Sequence, residues 1–209
     1  MRKLLIFVLA SACVISLASA QSQPTDATKD SQIVVLLKEM AVLQGQTNSA
    51  QNAQAKAAAW LNLNRKADAL AKRMTELLPR AEGSGPPTPT AELNQIAEKS
   101  QALGMSIAYC EIGTDFAASF VGYQNYLQFL PDGPNADEAY WKAKVEANGC
   151  GDFEGTVEEY QQGIARYSEF LKRYPSSSYA VRAKSQLEAY QAGLREQQNQ
   201  QVKPANPQN

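Results

Sequence analysis

Apolar residues recur every three to four positions through most of this chain, and no segment alternates apolar and polar residues for long. The first spacing places apolar side chains on one face of a helix, whereas sustained alternation would indicate a strand. The pattern therefore predicts an all-α protein without a β-sheet. Predicted helices lie from about residue 31, at 53–78, 91–112, 115–130, 136–147 and 153–174, and after Ser178 to about 194–198.

In the second half, a set of two aromatic rings, a leucine, a proline and two alanines occurs twice, 44 positions apart. Such self-similarity is typical of stacked helical hairpins that bury each other's apolar faces. We predict that the rings and leucines form a core between the helices of two repeats. The positions are Tyr123, Tyr126, Leu127, Pro131, Ala136 and Ala139 in the first copy, and Tyr167, Phe170, Leu171, Pro175, Ala180 and Ala183 in the second.

The first half is predicted to form a helical arm over residues 31–82, which contains a single aromatic side chain, Trp60. Apolar residues of the segment 53–78 fall at heptad spacing, which keeps one stripe facing a partner helix. Two interpretations remain open. The stripe either packs on its own domain, or it forms a coiled coil that joins copies of the chain into a homo-oligomer. The stripe consists of Trp60, Leu63, Ala67, Leu70, Met74 and Leu77.

Composition divides the rest of the chain. Residues 83–90 are rich in glycine and proline and predict a flexible or extended linker. All nine tyrosines lie between Tyr109 and Tyr190, and large rings supply much of the buried area in a core. We therefore place a helical repeat domain at 91–195. The polar tail at 196–209 is predicted to be disordered.

The N-terminus is predicted to be a secretory signal peptide at residues 1–20. Arg2 and Lys3 precede the mostly apolar segment 4–17, and Ala18-Ser19-Ala20 forms a cleavage site. Cleavage after Ala20 would leave a flexible start at 21–30 and a periplasmic or secreted protein without a transmembrane span. The alternatives are an uncleaved anchor, for which the apolar segment is short, and a lipoprotein modified at Cys13.

Export affects the two remaining cysteines, Cys110 and Cys150. An even number of thiols in an oxidising compartment favours a structural disulfide. A redox-active pair is the alternative, but such pairs usually have C-x-x-C spacing, which this pair lacks. In the chain-entropy model, closing this loop would stabilise the fold by roughly 4 kcal/mol.

The second copy of the repeated set carries a family resemblance. The string Tyr167-x-x-Phe170-Leu171-x-x-Tyr174-Pro175 resembles the tetratricopeptide-like repeats of bacterial envelope proteins. The resemblance implies that the ring pair packs between helices, that the proline closes a hairpin, and that the protein binds other proteins. The order of signal peptide, helical arm, linker and repeat region also resembles that of the Tol–Pal-associated cell-division coordinators of Gram-negative bacteria.

The chain has no histidine, which excludes Ser-His-Asp and Cys-His catalytic arrangements and the H-E-x-x-H zinc site. The formal net charge is −1, and no basic block is present to neutralise phosphates, so nucleic-acid binding is not expected. We predict no cofactor and no metal site. Carboxylates are the remaining catalytic candidates, and Glu111 and Asp115 are spaced to share a helix face.

These observations favour an exported, non-catalytic adaptor that binds a protein of the cell envelope. The alternatives are a periplasmic holdase chaperone that uses the arm, and a carboxylate-dependent cell-wall hydrolase. Four aromatic side chains fall outside the repeated pattern and are the candidates for a partner surface, because interfaces are enriched in such rings. They are Tyr140, Trp141, Tyr160 and Tyr179.

Overall fold

The structure, a computed structural model, describes residues 26–80, 85–146 and 153–202. Residues 1–25, Cys150 and the segment 203–209 lie outside the described residues, so the predictions of a signal peptide and a disulfide stay predictions. In chain order the elements are a short 3-10 helix Ala27–Lys29, α1 Ser31–Ser49, α2 Ala53–Glu76, α3 Ala91–Ala102, β1 Ile107–Cys110, β2 Asp115–Ala118, α4 Val121–Phe129, α5 Ala136–Tyr140, a π-helix Trp141–Val145, α6 Val157–Arg173 and α7 Ala180–Val202.

The prediction of a mainly helical protein is confirmed, but the prediction that no sheet forms is wrong. Gly104 adopts a left-handed conformation (φ 81°) just after α3, and this ends the helix that was expected to continue to residue 112. β1 and β2 then pair antiparallel, with Tyr109 opposite Phe116. The hairpin also replaces the first turn of the helix expected at 115–130, so α4 begins at Val121.

Both ends of the described chain are more ordered than predicted. Residues 27–29 of the segment expected to be flexible form a helical turn, and the side chain of Ala27 is buried. At the other end, α7 continues to Val202 through residues assigned to the disordered tail. Glutamine and glutamate are good helix formers, so the polar composition of 196–202 does not by itself prevent a helix.

Three apolar cores hold the described elements together. The first joins α1, α2, α3 and the hairpin. The second joins α2 with α4 and α5. The third joins the π-helix with α6 and α7. Because α2 contributes to two cores, the predicted arm is not separate from the helices that follow residues 83–90.

The heptad stripe of α2 is buried inside its own chain. Leu63, Leu70 and Met74 are fully buried against residues of α1, α3 and the hairpin, including Ile96 and Phe116. This corresponds to the first of the two interpretations, in which the stripe packs on its own domain. A coiled coil between copies would need these side chains to be exposed.

The turns between α4 and α5 and between α6 and α7 have the same backbone hydrogen bonds. In each turn, the residue two positions after the proline makes two hydrogen bonds. Its backbone amide donates to the carbonyl of the residue before the proline, and its carbonyl accepts from the first amide of the next helix. The bonds are Gly133 N to Leu130 O (3.1 Å) and Ala136 N to Gly133 O (3.0 Å), and Ser177 N to Tyr174 O (3.2 Å) and Ala180 N to Ser177 O (3.0 Å).

The side chains chosen as the repeat core lie beside these turns. Tyr123, Tyr126, Tyr167 and Phe170 are buried. The leucines that follow them, Leu127 and Leu171, are partly buried against the second and third cores. The helix after the first turn, α5, also contacts α2, since the Nε group of Arg65 donates to Glu138 Oε1 (2.9 Å).

The start of α1 depends on Asp30. Its Oδ1 atom accepts hydrogen bonds from the amides of Gln32 (3.0 Å) and Ile33 (3.1 Å). Its Oδ2 atom pairs with Arg73 of α2 at 2.8 Å. The hydrogen bond from Arg73 is the largest influence on this carboxyl and lowers its pKa, and the two amides act in the same direction.

We expect Asp30→Ala to lower the free energy of unfolding by about 1–2 kcal/mol, the usual cost of losing an N-cap. Asp30→Asn keeps the cap and loses only the ion pair, so it should cost less. Because the folded pKa of Asp30 is lowered, the difference between wild type and Asp30→Asn is present above pH ~4 and is lost as the pH falls through the folded pKa. Urea unfolding at several pH values measures this, and equal costs for the two variants would contradict the capping role.

Candidate functional site

An open cleft of about 920 Å³ lies between α2, the β-hairpin, the π-helix and α7. Its volume is within the range of pockets that bind ligands or peptide side chains, ~300–1,000 Å³. Helices that are distant in sequence form its two walls, because the hairpins stack side by side. The lining includes both apolar and charged side chains.

The floor of the cleft is the outer face of the hairpin. Ala108 and Ala117 are opposite each other in the sheet and are both exposed. The residues beside them, Ile107 and Phe116, point to the opposite face and are buried in the first core. The floor is fixed to one wall, since the amide of Phe116 donates to Thr75 Oγ1 of α2 (2.8 Å). Small side chains on a fixed strand face leave room for a ligand above them.

Asp68 lies on the α2 wall of the cleft. The hydroxyl of Tyr123 donates to its Oδ2 atom (2.6 Å), and the side-chain amide of Asn64 donates to its Oδ1 atom (3.4 Å). Burial raises the pKa of Asp68, and the Tyr123 hydrogen bond and the positive charge of Lys142 oppose only part of this effect. Among the described residues, Asp68 therefore has neutral hydrogen-bond donors and no directly bonded cation.

The opposite wall carries a second carboxyl, which differs from Asp68 in being paired with cations. Glu146 pairs with Lys142 of the π-helix (2.6 Å) and with Arg182 of α7 (2.9 Å). Burial acts to raise the pKa of Glu146, but the hydrogen bond from Lys142 and the charges of both cations outweigh it and hold the pKa below its usual range. The guanidinium of Arg182 also lies over the ring of Trp141, 5.4 Å from its centroid.

Two of the four aromatic residues predicted to form a partner surface do not lie on a surface. Trp141 is 1% exposed and Tyr140 is 9% exposed. The indole of Trp141 packs edge-on to Phe170 (5.0 Å between ring centroids) and stacks on Tyr179 (5.1 Å). This part of the prediction is wrong, because Tyr140 at the end of α5 and Trp141 at the start of the π-helix both pack into the third core.

The other two rings are partly buried. Tyr179 stacks on Trp141, and Tyr160 packs edge-on to Phe153 and Tyr190. Their described neighbours are therefore rings of the same chain. Phe153 is 52% exposed, and the sequence pattern did not single it out.

The carboxylates proposed as catalytic candidates do not share a helix face. Glu111 follows β1 directly, and Asp115 is the first residue of β2. Both side chains are exposed at the tip of the hairpin, although Asp115 also borders the cleft. No group of three or more Cys, Asp or Glu side chains that could hold a metal ion occurs among the residues that the structure describes.

Cys110 is buried and borders the cleft. Only one cysteine falls within the described ranges, so these contain no pair at disulfide distance. The predicted bond to Cys150 is unaffected by this observation.

Among the described helices, none is long and apolar enough to cross a membrane.

The charged residues of the cleft were not found from the sequence. Lys142 and Glu146 are four apart, a spacing that suggests a helical ion pair, but many surface pairs have it. Nothing in the sequence connects Asp68 with Lys142 or Arg182, because only the stacking of hairpins brings them together.

Comparison with protein-family models, with curated proteins and with solved structures finds no match.

Proposed function

We propose that this protein is an exported, non-catalytic adaptor of the cell envelope that binds another protein through the cleft between α2 and α7. The observation that carries the proposal is the exposed floor of Ala108 and Ala117 between two charged helical walls. Folded proteins usually cover one face of such a hairpin and leave the other to solvent. Here the uncovered face is recessed, so a partner segment could be enclosed on three sides.

The architecture supports protein binding over the two alternatives. Hairpins that stack with a repeated turn are typical of interaction scaffolds, and the two 44-residue copies share their turn hydrogen bonds. This is consistent with a tetratricopeptide-like protein that uses a groove rather than a catalytic centre. The holdase alternative assigned function to a free arm, but the apolar face of α2 is buried in two of the cores. The hydrolase alternative relied on carboxylates that are separated from each other by a hairpin turn.

The test is site-specific photo-crosslinking in the full exported chain. A benzophenone amino acid at Ala117 should give a discrete adduct with one envelope protein. The same group at Ala41, an exposed alanine of α1 outside the cleft, should not. Adducts with many unrelated proteins at both positions would instead favour the holdase, and the absence of any adduct at Ala117 would contradict the proposal.

We also expect Ala117→Trp to weaken binding of the captured partner by about tenfold or more, a loss of ~1.4 kcal/mol, because the indole would occupy the floor. Ala41→Trp is the matched control and should bind normally. Titration of the purified partner measures both. Equal affinities for the two variants would move the binding surface elsewhere.

A further inference from the structure

Two carboxyl groups of the cleft, Glu146 and Asp68, differ in the number of cations bonded to them. Glu146 has two cations, with Lys142 at 2.6 Å on one oxygen and Arg182 at 2.9 Å on the other. Asp68, on the facing wall, is hydrogen-bonded within the described part of the chain by two neutral groups, the hydroxyl of Tyr123 and the side-chain amide of Asn64. A partly buried carboxylate without a cation is costly, and the cost is relieved by holding a proton or by gaining a cation.

Lys142 is the cation that Asp68 can gain. The π-helix places it in the same cleft, with its side chain 34% exposed. The positive charge of Lys142 acts to lower the pKa of Asp68, and the charge of Asp68 acts to raise the pKa of Lys142. Among the other facing groups, Tyr123 of α4 is neutral. Glu138 of α5 is already held by Arg65.

The other charged groups that line the cleft are not suited to pair with Asp68. Lys72 of α2 is an exposed residue of the cleft border, and Asp115 of β2 carries the wrong sign. Arg182 of α7 is held by Glu146 and lies against the ring of Trp141. Arg182 can therefore keep Glu146 paired if Lys142 leaves.

We propose that loss of the proton from Asp68 transfers the ammonium group of Lys142 from Glu146 to Asp68, while Arg182 keeps Glu146. In this structure Lys142 and Arg182 share Glu146, the arrangement expected while Asp68 holds its proton. With Asp68 ionised, each carboxylate has one cation. Since Asp68 belongs to α2 and Lys142 to the π-helix, the second arrangement links the two walls across the cleft.

Other observations agree with this exchange. Burial raises the pKa of Asp68, so its proton is lost nearer to neutral pH than that of an ordinary aspartate. π-helices often occur at functional sites, and this one is the element that carries Lys142. A consequence for partner binding rests on the proposed function, but the exchange itself needs no partner.

The test is a nuclear magnetic resonance titration of the full mature chain, with carbon-13 in the aspartate carboxyls and nitrogen-15 in the lysine amines. The side-chain signal of Lys142 should change with the same midpoint as the carboxyl of Asp68. Three variants then separate the contributions. Lys142→Met should raise the midpoint of Asp68, because the ionised form loses its cation. Glu146→Gln should lower it, because Lys142 is released. Lys144→Met, which removes an exposed lysine of the same π-helix, should leave it unchanged.

Two results would overturn the exchange. One is a Lys142 signal that stays constant through the Asp68 titration in the wild type, a measurement that does not depend on any variant folding. The other is a midpoint that responds equally to Lys142→Met and Lys144→Met. Neither result involves crosslinking at Ala117, so the binding proposal would stand or fall separately.

Discussion

Residues 91–195, produced without the helices that precede them, are expected to lack a cooperative unfolding transition. The composition of the chain suggested an independent domain there, but α2 lies between two of the three cores. Its side chains Leu61, Leu63, Leu70 and Met74 are almost completely buried. Burying each such side chain stabilises a fold by about 1.5–3 kcal/mol, so the four together contribute ~6–12 kcal/mol. That sum is similar to the whole stability of a typical domain, ~5–15 kcal/mol.

Removal of α2 would also expose the groups that it covers, among them Ile96, Phe116 and Tyr126. The fragment should therefore bind an apolar dye such as anilinonaphthalene sulfonate and should show a broad, weak urea transition by circular dichroism. The control is the fragment 26–202, which retains all the described elements and should unfold cooperatively. A steep transition in 91–195 with an ordinary m-value would show that the C-terminal helices are an independent domain after all.

The helices were predictable where the apolar period was long. The segment 53–78 carries six apolar residues at heptad spacing, from Trp60 to Leu77, and α2 occupies Ala53–Glu76. The start of α3 at Ala91 was also correct, and Thr90 caps it by accepting from the amide of Leu93. The β-hairpin was missed because each strand has only four residues, which is too short for alternation to be distinguished from one turn of a helix.

The site was less predictable than the fold because it is made of residues from separate hairpins. Asp68, Lys142 and Arg182 come from α2, the π-helix and α7, and no local pattern encodes their meeting. The aromatic prediction failed for a different reason. It relied on Tyr140 and Trp141 falling outside the repeated pattern, but a residue outside that pattern can still be buried, and both side chains pack into the third core.

The contact between α2 and α4 depends on a glycine. The amide of Gly122, in the first turn of α4, donates to Asn64 Oδ1 of α2 (2.8 Å). The N-cap residue of α4, Phe120, has no side-chain hydrogen bond of this kind, so Asn64 satisfies an amide that the helix itself leaves unpaired. A Cβ atom at Gly122 would lie 2.6 Å from the Cβ of Asn64 and would also collide with the backbone carbonyl of Trp60.

Gly122→Ala should therefore lower the free energy of unfolding by about 3 kcal/mol, since it combines overpacking with the loss of a buried hydrogen bond. The matched control is Gly45→Ala in α1, where no atom lies within 4 Å of the added Cβ. That change should stabilise the protein by up to ~1 kcal/mol, because alanine is the better helix former. Urea unfolding of both variants provides the comparison. If the two substitutions shifted the midpoint in the same direction, α2 and α4 would not be packed as closely as this contact requires, and the α2 wall of the cleft would have to be placed differently.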